Sequence, residues 1–82
     1  MKGIIQISGK KLTNSLREKI IVACKLLSDS CEVLQSSRKL LHISFKQLPD
    51  IISLNNALQS SINLDVCIRT HPFKNIIFVK IL

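Results

Sequence analysis

Tryptophan and tyrosine are absent from the 82 residues, and the only aromatic carbocycles are Phe45, Phe73 and Phe78. Base stacking across a sheet, as in RRM-type domains, needs aromatics on the exposed sheet face, and two of these three sit among residues of core character. Glycine is equally scarce. Gly3 and Gly9 are the only two, so the chain has neither a glycine-rich phosphate loop nor the G-x-x-G clamp of a KH domain. The five acidic residues are scattered singly, and no element would hold two of them on one face near a histidine. General acid–base catalysis therefore lacks its groups.

Cys24, Cys31 and Cys67 are an odd set without a close pair. Secreted disulfide frameworks and structural zinc sites both rely on closely spaced cysteines, so a reducing compartment and no metal site are expected. Cys67 and His71 are near in sequence, but a strand cysteine and a turn histidine are ordinary packing and solvent residues rather than a thiol–imidazole couple. The apolar stretch ahead of Lys10 is too short for a signal peptide or a membrane span. The expectation is a protein that is not an enzyme, with no cofactor, no membrane contact and no small-molecule substrate.

Positive charge is what the chain has in excess. Twelve lysines and arginines against five acids give a net charge of +7 and a pI near 9.8, a field that favours polyanions such as RNA or DNA. The length suits one domain spanning 1–82 with one modest core, and a core of that size confers limited stability on its own. Ile, Leu, Ser, Lys and Asn dominate, residues with A/T-rich codons, which suggests the genome of an organelle, a parasite or an endosymbiont. A protein working in an organelle would then be made there or have lost a presequence.

The hydropathy pattern predicts seven elements. Gly3 to Ser8, with Ile4, Ile5 and Ile7, reads as a strand ended by Gly9. Leu12, Leu16, Ile20, Ala23 and Leu27 recur at spacings of three and four, the buried stripe of a helix. Ser15 and Glu18 are spaced as a capping box, with Thr13 or Asn14 as alternative caps. Ile21 and Val22 fall off the stripe together with Arg17, Glu18 and Lys25 and are candidates for contact with another protein. Cys31 to Leu34 reads as a short strand, and Gln35 to Lys39 as a turn with a basic tip. Leu41, Ile43 and Phe45 alternate with polar residues, as in a strand with one buried face. Pro49 and Asp50 start a second helix whose stripe is Ile51, Leu54, Leu58 and Ile62. Leu64 to Arg69 is a strand, Thr70 to Asn75 a turn, and Ile76 to Leu82 a last strand. That strand is apolar on both sides except at Lys80, so it is either central in a sheet or covered by a partner through Ile77, Val79 and Ile81. The order β-α-β-β-α-β-β predicts an α+β ferredoxin-like sandwich, with two helices on one face of a mainly antiparallel four- to five-stranded sheet.

Cations recur at turns and strand ends: Lys10 and Lys11, Arg38 and Lys39, then Arg69 with His71 and Lys74. Any one pair suits an ordinary solvated turn. Three such clusters in so short a chain predict a phosphate-gripping surface, with His71 as a hydrogen-bond donor. A protein–protein assembly module without RNA contact is the competing expectation, built on exposed apolar residues.

Several stretches resemble the tenth protein of the small ribosomal subunit, the S-ten family, and its mitochondrial members above all. Ile4-Ile5-Gln6-Ile7 through Lys11-Leu12 to Ala23-Cys24-Lys25 is similar to that family's opening strand, turn and long helix. Arg38-Lys39 and the alternating strand after it resemble its basic hairpin segment, and Ile68-Arg69-Thr70-His71 resembles its I-R-T-H segment. The matching pieces cover about half of the chain. Two departures stand out: Gln35-Ser36-Ser37 replaces a proline-rich hairpin tip, and an insertion separates the hairpin from Arg69. Two alignments are open. Either Ile68–His71 is the family's segment, and the second helix and last strand that follow it in the family are missing, or Ile51–Ile68 is that helix and strand. The resemblance implies a structural protein of the small subunit's head, in a mitochondrial ribosome or in another organelle or cytoplasm with an A/T-rich genome. Its loops would contact rRNA, and its sheet and hairpin would contact neighbouring small-subunit proteins.

Overall fold

A computed structural model describes residues 2–9, 12–63 and 65–82. The chain forms β1 (Gly3–Ser8), α1 (Asn14–Leu27), β2 (Glu32–Ser36), β3 (Leu40–Phe45), α2 (Ile51–Ile62), β4 (Val66–Thr70) and β5 (Ile76–Ile81). The strands make one sheet in the order β2-β3-β1-β5-β4, antiparallel at every pairing except the parallel β1–β5. This is an α+β sandwich of ferredoxin-like type. A β4–β5 hairpin stands where the plain β-α-β-β-α-β plan has one strand, with β5 inside and β4 at the edge.

The pairings leave β2 parallel to β1 and β4 parallel to β3, so α1 and α2 are both crossover helices. The two crossovers run in opposite directions along the strands and also across the sheet. Crossovers of one hand, which is the strong preference, must then place both helices on the same face. The other face of the sheet is bare among the described residues.

Under the helices lies one cluster. Ile5, Ile7, Leu41, Ile43, Phe45, Ile77 and Val79 of the sheet meet Leu12, Ile20, Cys24, Leu54 and Leu58, and Leu16, Ile21, Leu27, Leu48, Ile62, Val66, Ile68 and Ile81 pack at its margin. The period-two expectation for β3 holds: Leu41, Ile43 and Phe45 are its buried residues. The α1 stripe holds too, with Cys24 added to it and Leu16 and Leu27 half-buried. Ile51 of the α2 stripe is instead exposed.

Several expectations need correction. Helix α1 is capped not by a Ser15–Glu18 box but by Thr13, whose hydroxyl accepts the Leu16 N–H at 3.2 Å, leaving Ser15 inside the helix. Strand β2 runs on to Ser36, because a bulge between Val33 and Gln35 lets pairing with β3 continue to Ser36–Leu41; the turn shrinks to residues 37–39. Leu64 lies outside the described residues. Strand β5 is apolar on both sides because it is central, flanked by β1 and β4. Ile77 and Val79, expected to face a partner, belong to this chain's own core, and Ile21 and Ile81 lean on it; of the five candidate contacts only Val22 is exposed.

Gly3 marks the tightest packing. The Ile4 N–H donates to the Asn75 carbonyl at 3.0 Å, drawing the β4–β5 turn against the start of β1. A Cβ on Gly3 would stand 2.5 Å from that same carbonyl oxygen and collide with Leu48.

Candidate nucleic-acid interface

Arg38 and Lys39 lie at one end of the sheet and His71 and Lys74 at the other, with Arg69 between them in β4. At the end where β1 finishes, the Leu12 N–H donates to the Arg38 carbonyl at 2.7 Å and the Gly9 N–H to the Lys39 carbonyl at 3.3 Å. Lys10 and Lys11 lie outside the described residues. The residues on either side of them are nonetheless bonded directly to the Arg38–Lys39 turn. Gly9 and Leu12 meet a turn far along the sequence because β1 and β3 are antiparallel neighbours with Ser8 opposite Leu40.

Arg17 holds this junction. One guanidinium nitrogen donates to the Leu12 carbonyl (3.0 Å) and to the Ser37 carbonyl (2.7 Å), and the other to the Asn14 side chain. Helical periodicity places Arg17 off the buried stripe, as expected. Nothing in that periodicity reveals that it ties the start of α1 to the β2–β3 turn, since its acceptors are backbone carbonyls on other elements.

His71 and Lys74 sit at the opposite end, about 17–20 Å away along six-residue strands, in the turn between β4 and β5. The His71 Nδ1 accepts the N–H groups of Phe73 and Lys74, each at 3.0 Å, and so shapes that turn. With Nδ1 accepting, the ring's donor is the Nε2–H. Arg38, Lys39, His71 and Lys74 lie in turns, as the sequence predicts, whereas Arg69 lies within β4.

Between the two ends lies the bare face. One row crosses all five strands: Gln35, His42, Gln6, Phe78 and Arg69 are successive partners in the pairing register. On one side of it run Glu32, Ser44, Ile4 and Ile76, and on the other Leu40, Ser8, Lys80 and Cys67. Arg69 and Lys80 are exposed there and line a shallow hollow with Ser8, Cys67 and Phe78. The Nε2 of His42 is shut off from water and has no hydrogen-bond partner among the described residues.

The aromatic expectation needs correction as well. Phe45 is core, whereas Phe73 is 92% exposed and Phe78 is half-buried on the bare face. The His71 ring lies edge-on to Phe73 at 6.5 Å and tilted against Phe78 at 6.2 Å. A sequence signal existed: in β5, Lys80 marks the solvent side, and Phe78 shares its parity while Ile77 and Val79 take the other.

The three cysteines are free thiols, Cys24 and Cys31 buried and Cys67 half-buried. Burial, and then the neighbouring Cys31, pushes the Cys24 thiol up to about 12, so it stays protonated and is neither nucleophile nor metal ligand. Cys67 and His71, four residues apart along an extended strand, are held about 13 Å from each other. Among the described residues no group of three histidines, cysteines or acids is placed to hold a metal, and no helix is long and apolar enough to cross a membrane.

Both helices expose apolar side chains, as do Val33 and Leu34 of β2. Leu26 of α1 is 82% exposed and Ile52 of α2 75%, and Val22 lies one turn before Leu26. Sequence periodicity flagged only Val22. Comparison of this chain with known family models, with curated proteins and with solved structures finds no match in any of the three.

Proposed function

We propose that this protein is a non-catalytic RNA-binding component of a ribonucleoprotein, and that the particle is the small ribosomal subunit of a mitochondrion or similar organelle. The observation that carries the RNA reading is the junction at the end of β1, where backbone hydrogen bonds hold Arg38 and Lys39 against the residues flanking Lys10 and Lys11. Arg38 and Lys39 in that turn, with Lys10 and Lys11 between the two bonded residues in sequence and a net charge of +7, suit a phosphate backbone, because each phosphate contact releases condensed counterions. Arg69, Lys74 and the Nε2–H of His71 supply a second group of contacts. Neighbouring proteins meet the exposed apolar residues Val22, Leu26 and Ile52.

The ribosomal part rests on the resemblance to the S-ten family through the first strand, the long helix and the basic hairpin. We take the alignment that makes Ile51–Ile68 the family's helix and strand, because α2 and the start of β4 occupy that span. The I-R-T-H identity then carries no weight.

A salt titration of RNA affinity tests the interface. Neutralising Arg38 and Lys39 together should lower affinity and reduce the slope of log K against log salt by about two, roughly one per phosphate contact. Sequence preference should not change. A slope unchanged both in that variant and in a Lys10/Lys11 variant would refute the interface and favour a protein-only assembly module. Co-sedimentation with small ribosomal subunits through moderate salt tests the particle, and recovery solely in the free fraction would refute it.

A further inference from the structure

Phe73 is almost fully exposed at the tip of a turn whose shape is set by the His71 Nδ1, so its ring adds nothing to the core. Its neighbours are not scattered. His71 and Phe78 stand within ring-contact range of each other, and Arg69 is the cross-strand partner of Phe78. Lys74 follows in the same turn. The only acidic residue in the three rows of the bare face, Glu32, is on the far edge strand.

An aromatic ring with a free face beside cations suits a nucleobase over a phosphate. Bases inside a duplex are already stacked, and A-form RNA offers its partners mainly phosphates and 2′-hydroxyls. Unpaired bases present their own faces, and each stacks on an exposed ring with little regard to sequence. We propose that the corner formed by His71, Phe73 and Phe78, with Arg69 and Lys74 beside it, binds unpaired bases of single-stranded RNA. Phe73 and Phe78 stack the bases, the two cations hold the phosphates, and the His71 Nε2–H donates to a base edge or a phosphate oxygen. This site rests on the RNA reading above and adds to it both a location and a preference for single strands.

The test uses fluorescence anisotropy with a labelled, mixed-sequence RNA of about twelve nucleotides, alone and annealed to its complement. The single strand should bind more tightly than the duplex. Phe73→Ala, which removes a side chain that adds nothing to the core, and Phe78→Leu, which keeps apolar bulk on the sheet, should each weaken single-strand binding by about 5- to 150-fold. Neither should alter the salt slope, because no phosphate contact is lost. Equal affinity for the two RNA forms, or wild-type affinity in both variants with melting behaviour intact, overturns the site. If the Arg38/Lys39 variant still loses affinity in that case, RNA binding stands and only this corner falls. Absence of binding to either RNA at low salt overturns both and assigns the corner to a protein partner.

Discussion

Alternate residues of β1, β3 and β5 go to opposite sides of one sheet, and the two sides follow different rules. Beneath the helices stand Ile5, Ile7, Leu41, Ile43, Phe45, Ile77 and Val79, every one buried. On the bare side the same strands carry Ile4, Gln6, Ser8, His42, Ser44, Phe78 and Lys80, half-buried or exposed. The first set is chosen by packing, since a close-packed interior tolerates little change in volume. The second is free of that constraint, and on it Phe78 stands beside Arg69 and in ring contact with His71.

That contrast breaks if substitutions on the two sides cost the same. Ile20→Ala or Ile43→Ala, at fully buried positions, should each lower stability by about 2–5 kcal/mol in denaturant melts, the transfer and cavity cost of a truncated core residue. Gln6→Ala, in the middle of the bare row, should stay within about 0.5 kcal/mol of wild type. Similar losses at Ile43 and Gln6 would mean that the bare side is covered after all.

A smaller loss is expected where the two sides share a boundary. Gly3→Ala puts a Cβ against the Asn75 carbonyl, which cannot move without breaking its bond to the Ile4 N–H, so β1 or the β4–β5 turn must shift. Overpacking of this kind costs about 1–3 kcal/mol. Because that turn carries His71 and Phe73, the variant should also weaken single-strand binding. A thermal midpoint and an RNA affinity both unchanged would show the approach to be loose.

The smallest effect belongs to pH. Asp50 caps α2: its carboxylate accepts the Ser53 N–H at 2.8 Å and the Ser53 hydroxyl at 3.0 Å, and these bonds hold it below the usual carboxylate range. The bonds favour the ionised form, so this contribution is complete above the ordinary carboxylate pKa of about 4. It fades as the pH falls through the lowered folded value. Asp50→Asn keeps an accepting oxygen without the charge, and should flatten the acid-side decline in melting temperature relative to wild type. Parallel curves for the two proteins would contradict the assignment.

Legibility in the sequence differed from element to element. The alternation in β3 and the stripe in α1 were readable because one side of each is apolar and the other polar. Strand β5 was less so, since Lys80 alone marks its solvent side; its register with Ile5 and Ile7 sets Ile77 and Val79 inward and Phe78 outward. Phe73 lies in a turn, where no period applies, and Arg17 acts through carbonyls that only the fold brings near. Of the candidate site, Arg38, Lys39 and Lys74 and their place at turns were legible. Their division between the two ends of the sheet, and the aromatic corner, were not.

The sequence by itself determined the number and order of elements, the helix-covered core and the excess of positive charge. Those follow from hydropathy periods and composition, which are local and need no partner to express. Tertiary structure alone decided that β5 lies inside β4, that Gly9 and Leu12 are bonded to the Arg38–Lys39 turn, and that His71, Phe73, Phe78 and Arg69 stand together. Strand order and register are set by which of several apolar surfaces bury each other best. That competition spans the whole chain, so no window of sequence records its outcome.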